Sequence, residues 1–355
     1  MSFQSDQLRL TGRRKKAVES RTPRPRSCLG DSWPLASFSS AGSRSTKTRY
    51  VLVTAARNES EHLERLIRSV VSQTILPVLW IIVSDASTDS TDEIVTKYAV
   101  RFSWIKLLRV TEPGERHFGR KALCFNAGWR LLREIDFDVI ANVDADVSFA
   151  PDYIAFLLSK FEASSHLGVA GTTHCYGSCV SFGHRWADLN YVSGQFQMFR
   201  RTCLEDVGGY LPVREGGIDT IAVTMAKAKG WKTQTFVDQT FSHHRKMGTW
   251  AGSSRHLCFR EGYRDYLLGN HPLWQFARSL FLMSQSPLVL GGLLYWSGYL
   301  IAFVSRRKKA MPWNCVQLRR HEQMQRLTTI GKGVFSRAFR CVPQIHFSHY
   351  RKTGV

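Results

Sequence analysis

The sequence predicts an α/β fold, a doubly wound and mainly parallel sheet, and three observations predict it. From Tyr50 onward, short apolar runs alternate with segments of helical periodicity. The runs are near-continuously apolar, as strands covered by helices on both faces should be. Three of them end in polar clusters: Thr54 to Asn58, Asp85, and Asp144 with Asp146. Ligands of such sheets bind beyond the carboxyl ends of the strands, so these clusters mark the candidate ligand side.

The elements follow in order. "YVLVTAA" is the first buried strand. "NESEHLERLIRSVVSQ" spaces Leu63, Leu66, Ile67, Val70 and Val71 as one helix face. "VLWIIVSDAST" is a second strand, and "DSTDEIVTKYAVRF" a helix with acids in its first turn, where the helix dipole favours them. "IKLLRV" is a third strand, "GRKALCFNAGWRLLRE" a helix and "FDVIANVDAD" a fourth strand.

Residues 1–47 are rich in Ser, Arg, Lys and Pro, with "GRRKK" and "RTPRPRS", and bury too little apolar surface to offset their ordering entropy. This basic tail is expected to be disordered. It has no apolar h-region and so does not read as a secretory signal. The formal net charge of the 355 residues is +21, which suits anionic partners: nucleic acid, phosphorylated metabolites or a cytoplasmic membrane surface. The eight cysteines show no repeated CxxC pairs, which fits a reducing compartment better than a secreted one. His174, Cys175, Cys179 and His184 do not have the spacing of a zinc finger or ribbon, and buried thiols near a loop are the plainer reading.

In an extended segment alternate side chains share a face, so Asp144 and Asp146 of "VDAD" point into one crevice. Two carboxylates so close resist ionisation unless a cation joins them. Mg²⁺ or Mn²⁺ is the natural partner, since such ions take one or two protein carboxylates and complete their shell with phosphate oxygens. A D-x-D by itself also suits a solvated acidic turn.

It does not stand alone. "TAARNESEHLERLIRSVVSQ", "IIVSDASTDSTDEIV", "GRKALCFNAG" and "VDADVSFAPDYI", followed by "SGQFQMFRR", "VGGYLPVREGGIDTIAVTMAKAKGWKT" and "FSHHRKMG", resemble the inverting nucleotide-sugar glycosyltransferases of the GT-A fold, family 2. The resemblance runs over residues 49–250. It implies that Thr54, Ala55 and Glu59 border the nucleotide, and that Asp85 accepts hydrogen bonds from the base or ribose. It places Lys121 near the base or diphosphate and Asp144 at the ribose or a metal-bound water. Asp146 would ligate the metal, with His243 or, second, His244 completing the shell. The family's Glu-Asp pair before a helix reads Ile218-Asp219 here. Asp219 is the implied general base, in the first turn of a helix, with Glu215 as its rival. The Q-x-x-R-W signature of processive synthases is missing from the sequence, which points to addition of one sugar at a time. The expected reaction moves a sugar from a nucleoside-diphosphate donor to a hydroxyl of a lipid-linked or polysaccharide acceptor.

Between Arg278 and Arg306 no residue is charged, and "PLVLGGLLYWSGYLIAFV" is long enough to raise the question of a membrane span. A single span from a cytoplasmic domain would export Arg306 to Lys309, against the positive-inside rule. A hairpin or an amphipathic pair in the interface avoids this, with Trp274, Tyr295, Trp296 and Tyr299 at headgroup level. A buried helix packed on the catalytic domain is the alternative. The expected division is a tail over 1–47, a GT-A catalytic domain over 48–250, a helical membrane-interface region over 251–311 and a basic tail over 312–355. The expected location is the cytoplasmic face of a membrane, peripheral, monotopic or hairpin-inserted, on an anionic lipid surface.

Two other classes compete. A nucleic-acid-binding protein explains the charge but not the series Asp85, Asp144, Asp146 and Asp219, and no usual binding motif is present, so no nucleic-acid partner is expected. A sugar nucleotidyltransferase needs a Gly-rich phosphate loop after the first strand, and "TAARNES" has no glycine.

Overall fold

The computed structural model describes residues 48–111, 114–115, 117–176, 179–180, 189–245, 254–284 and 287–340. The expected tail over 1–47, Cys179's side chain and His184 lie outside what is described.

The first strand, β1 (Tyr50–Ala56), is followed by α1 (Leu63–Val71), β2 (Leu79–Asp85), α2 (Thr91–Arg101), β3 (Ile105–Val110), α3 (Phe118–Leu131) and β4 (Val139–Val143). Alternation along β1 sorts side chains to two cores. Leu52 joins Ile82, Ala141 and the buried stripe Leu63, Leu66, Ile67 and Val70 of α1 on one face. Val51 and Val53 join Ile81, Val83, Ile140 and residues of α3 on the other. Burial on both faces is why these strands read as unbroken apolar runs.

Past β4 come β5 (Val147–Ser148), α4 (Tyr153–Ala163), β6 (Leu167–Tyr176), β7 (Cys179–Val180), β8 (Phe196–Arg200), α5 (Arg201–Val207), α6 (Ile218–Ala228) and β9 (Lys232–His243). The sheet order is β3-β2-β1-β4-β8-β6-β9-β5, with β7 on β6. Among the described residues β1-β2, β1-β4, β2-β3 and β6-β9 are parallel, while β4-β8, β5-β9, β6-β7 and β6-β8 are antiparallel. The sheet is therefore mixed, not mainly parallel. A parallel neighbour needs a crossover connection, and β8 instead slots between β4 and β6 running the other way.

Among the described residues four helices follow: α7 (Ser254–Leu267), α8 (Pro272–Met283), α9 (Leu290–Val304) and α10 (Trp313–Arg340). The last occupies much of the stretch expected to be a basic tail. Its Cys315 and Val316 are buried against Ile221 of α6, Leu268 and Met311. Backbones of α7 and α9 pack so closely that a methyl group on Gly262 would lie 1.8 Å from the Tyr295 carbonyl oxygen. Trp274, Tyr295 and Tyr299, expected at headgroup level, are instead buried in the helical packing, at 5%, 1% and 1% exposure. Their polar tips explain this: the Tyr295 hydroxyl is spent on Asp265, and that of Tyr299 donates to the Asn270 carbonyl at 2.8 Å.

Candidate active site

The site forms where the expected strand ends meet. After β1 and β2 the chain makes two left-handed turns, Asn58 at φ 55° and Ala86 at φ 49°. An alanine rarely adopts that conformation, and such strain gathers at functional sites. The turns are laced together, since Asn58 Oδ1 accepts from the Thr88 amide at 2.8 Å and the Asn58 amide donates to Ser87 Oγ at 3.2 Å. Asp85 is thereby fixed at the rim, 5% exposed. Arg120 Nε donates to its two oxygens at 2.8 and 2.9 Å, and Arg57 Nη1 lies 3.5 Å away.

Asp144 follows β4 directly, its amide bonded to the Gln195 carbonyl at 2.9 Å. Its carboxylate pairs with Lys121. Burial pushes the Asp144 carboxyl upward, while Lys121 pulls it down. Asp146 belongs to a different edge. The short β5 zips onto the end of β9, pairing Val147 with His243, and the His244 amide donates to the Asp146 carbonyl at 2.8 Å. This brings His243 Nε2 within 3.4 Å of Asp146 Oδ2, with Arg245 Nε 3.8 Å away. Burial works to raise the Asp146 carboxyl, but His243 and Arg245 outweigh it and hold it below the usual carboxylate range.

His244 turns away from that pair, with Nε2 2.7 Å from Ser148 Oγ. Glu59 grips Arg245 through both oxygens, at 3.0 and 2.6 Å, so its side chain fixes Arg245 beside Asp146. Thr54 is fully buried, and its Oγ1 accepts from Trp80 Nε1 at 3.1 Å. Neighbouring Ala55 is half-buried and packs against the core on the α3 side of the sheet.

Asp219 reaches the same place from the far side. It lies in the first turn of α6 but does not cap it: the N-cap is Gly217, and no side chain closes that end. Its Oδ2 instead accepts from the Tyr191 hydroxyl at 2.5 Å. Gly194 packs against it so tightly that a methyl group there would sit 2.8 Å from Asp219 Cβ. The Gly194 carbonyl accepts from Lys121 Nζ and Asn142 Nδ2, each at 3.0 Å. Asp144, Lys121, Gly194 and Asp219 thus form one continuous wall. Glu215 is exposed and lines a separate surface cleft with Pro212, Arg214, Tyr263 and Arg307, so the structure sets the two base candidates apart.

A metal can be tested against these donors. Two ligand atoms of one octahedral Mg²⁺, each about 2.1 Å from it, lie roughly 3 Å apart. Asp146 Oδ2 and His243 Nε2 at 3.4 Å span such an edge. Among the described residues no three His, Cys, Asp or Glu side chains cluster as a complete cage. Two protein ligands suit an ion that takes its remaining oxygens from a diphosphate.

Arg57, Arg120, Arg245, Tyr191 and Gly194 were not singled out from sequence. Arg120 and Arg245 directly follow or precede residues that were, in "GRKA" and "SHHR", and adjacency was their signal. Tyr191 and Gly194 gave none, because their role exists only once β8 is placed.

Residues 51–208 match the family model described as Glycosyl transferase family 2. Over that segment the chain reads as a family 2 glycosyltransferase. It is similar to the poly-beta-1,6-N-acetyl-D-glucosamine synthase of Staphylococcus epidermidis, 26% identical over 203 residues, which are 51% of this chain and 45% of that one. The chondroitin synthase of Pasteurella multocida is 22% identical over 175 residues, 46% of this chain and 17% of that one. The chain spans less than half the length of these curated relatives. Among solved structures, a mannosyltransferase of Pyrobaculum calidifontis in complex with GDP-Man and Mn2+ is 19% identical, with a TM-score of 0.48 over 73% of this chain and 75% of that one. TarS of S. aureus, residues 1–349, is 13% identical, with a TM-score of 0.47 over 73% of this chain and 72% of that one.

Proposed function

We propose that the domain transfers a sugar from a nucleoside-diphosphate donor, with inversion, to a hydroxyl of a lipid-linked or polysaccharide acceptor, one sugar at a time. A single observation carries the reading: Asp144 and Asp219, from opposite sides of the sheet end, meet across Lys121 and Gly194. That is the layout a displacement needs, with donor-side charge and an acceptor-side base joined along one wall.

In this reading Asp85 and the turns after β1 and β2 receive the nucleoside. Of the arginines on Asp85, Arg57 is the looser at 3.5 Å, and a donor on the base or ribose can take its place there. Lys121 bridges Asp144 and the Gly194 carbonyl, and its ammonium can move from them onto a diphosphate oxygen. Asp146 and His243 would hold the Mg²⁺ or Mn²⁺, whose charge would there offset that developing on the departing diphosphate. Asp219 takes the proton of the acceptor hydroxyl as that oxygen bonds to the anomeric carbon from the face opposite the leaving group. Tyr191 keeps the carboxylate aimed. No covalent sugar–enzyme bond forms.

The test is donor hydrolysis by the full chain against a panel of nucleotide sugars, with and without Mn²⁺. One donor should be hydrolysed, EDTA should abolish the reaction and Mn²⁺ restore it, and Asp146→Asn should lose metal-assisted donor binding. Full activity in chelator overturns the metal assignment. Failure to bind or hydrolyse any nucleotide sugar overturns the donor class.

A further inference from the structure

The helical pair α8–α9 carries an apolar face with nothing packed on it. On α9 Leu290, Leu293, Leu300, Ile301 and Val304 are exposed, at 37%, 50%, 39%, 50% and 77%, as is Phe303 at 53%. At 3.6 residues per turn the first five fall within a ~100° arc, with Phe303 to one side of it. The opposite arc, Gly291, Gly292, Tyr295, Gly298, Tyr299 and Ala302, is buried. On α8, Leu273, Phe276 and Leu280 repeat the pattern at 58%, 49% and 50% exposure. The link between the helices adds Leu288 and Val289, at 69% and 56%. Phe276 touches Trp296 across the pair, with ring centroids 5.5 Å apart, so the two stripes adjoin. Soluble surfaces rarely leave so many large apolar side chains side by side.

The rim identifies the occupant. Immediately past Val304 stand Arg306, Arg307 and Lys308, all exposed. None of them takes part in an ion pair among the described residues. A protein partner would ask for polar complementarity, about one hydrogen bond per 100–200 Å². On the exposed arc of α9 the one polar side chain is Ser297, and its hydroxyl already donates to the Leu294 carbonyl at 2.9 Å. An uncharged apolar face edged by unpaired cations matches acyl chains below anionic headgroups. No helix among the described residues is long and apolar enough to cross a membrane. At 1.5 Å per residue, the 15 residues of α9 reach only ~22 Å of a ~30 Å hydrocarbon core.

We infer that α8 and α9 lie side by side in the surface of an anionic bilayer, apolar face down, with Arg306, Arg307 and Lys308 on the headgroups. In a cell the anionic leaflet is the cytoplasmic one. The inference stands apart from the donor chemistry.

The experiment is co-sedimentation of the full chain with vesicles of phosphatidylcholine alone and of phosphatidylcholine with phosphatidylglycerol. The chain should pellet with the anionic vesicles and much less with the neutral ones. A triple variant, Leu293→Glu, Ile301→Glu and Val304→Glu, should lower the partition at least about tenfold. Replacing Arg306, Arg307 and Lys308 with alanine should lower it about fivefold for each residue removed, on anionic vesicles only. The thermal midpoint of each variant reports that the chain remains folded, whatever the vesicles show. The inference is overturned if the wild-type chain stays in solution with both compositions, or if variants that keep the wild-type midpoint bind as wild type does. It is also overturned if the chain is a dimer without lipid and the triple variant disperses it, since the face then belongs to a second copy.

Discussion

Buried charge is held differently in the strand-end cleft and in the helical cap. In the cleft Asp85, Asp144 and Asp146 are each met by cations from the rim: Arg120 and Arg57, Lys121, and Arg245 with His243. Those cations lie where an anionic ligand would compete for them. In the cap Asp265 is met by Arg278 at 3.1 Å and by the Tyr295 hydroxyl. Beside it, Asn270 Oδ1 accepts from Arg319 at 2.8 Å and Gln323 at 2.7 Å. That network closes on itself. The difference teaches which acids a reaction can use: open pairs can exchange partners, whereas closed ones only hold helices together.

The sharpest break of this comparison is Asp219→Asn. Asparagine keeps the shape and can still accept from Tyr191, but it cannot take a proton. Losing a general base costs typically 10²–10⁴-fold in rate. Sugar transfer to acceptor should fall by that factor, with donor binding and thermal midpoint unchanged. If Asp219→Asn transfers at near wild-type rate while Glu215→Gln is inactive, the base is Glu215 and the wall at Gly194 has another purpose.

How far the sequence foretold these regions follows from how local their determinants are. The four strands β1 to β4 and the helices between them were legible because each carries its own periodicity and its own polar end, as in "IIVSDAST". Antiparallel β8 was not, since its place between β4 and β6 depends on pairing partners some 30 and 60 residues distant. The same distance hid Tyr191 and Gly194. In the cap, the uncharged stretch was visible but its orientation was not: Tyr295 and Tyr299 look interfacial by type, and only their buried partners Asp265 and Asn270 reveal that they face inward. Residues after Pro312 showed little pattern because α10 is anchored by a few buried side chains, Cys315, Val316 and Gln323.

The closed network should answer to stability rather than rate. Asp265→Ala leaves Arg278 without its carboxylate, and breaking a buried pair costs roughly 3–5 kcal/mol. Arg278 keeps 33% of its side chain exposed, which places the loss toward the lower end. Urea unfolding should show it as a lower midpoint. An unchanged midpoint with lost activity would make Asp265 part of the site.

A smaller contrast lies in two glycines. A methyl group at Gly298 would meet the Phe259 carbonyl oxygen at 2.1 Å, and backbone cannot easily yield. At Gly128 the neighbour is the Val53 Cγ1 methyl at 2.8 Å, a side-chain end in the sheet core. Gly298→Ala should cost about 1–3 kcal/mol through overpacking. Gly128→Ala should cost less, because the helix propensity of alanine offsets up to about 1 kcal/mol. Equal losses in urea midpoint at constant slope would show that the two halves are packed with equal tolerance.

The smallest effect tests an acid in the donor half that supports a loop. Asp89 joins the turn after β1 to the start of α2: Oδ2 accepts from the Ser60 amide at 3.0 Å, and Oδ1 from the Thr91 amide at 3.1 Å and the Thr91 hydroxyl at 2.5 Å. Burial works to raise its pKa, but the bonds from Thr91 and Ser60 prevail and hold it at about 2. The folded value thus lies below that of the unfolded chain, near 3.9. The unfolded chain therefore binds the proton first as pH falls, and the stabilisation is complete above about pH 4 and lost on the way down to about pH 2. Asp89→Ala should cost about 1 kcal/mol at neutral pH, the usual worth of such a cap-like carboxylate. Measured as the difference in urea midpoint from wild type, which cancels the other titrating groups, the cost should shrink as pH is lowered from about 6 toward 3. Donor hydrolysis at neutral pH should fall only as far as the loop loosens. A difference that stays constant over that range would mean that the neutral carboxyl serves as well as the carboxylate, and that Asp89 belongs with the closed, purely structural groups of the cap.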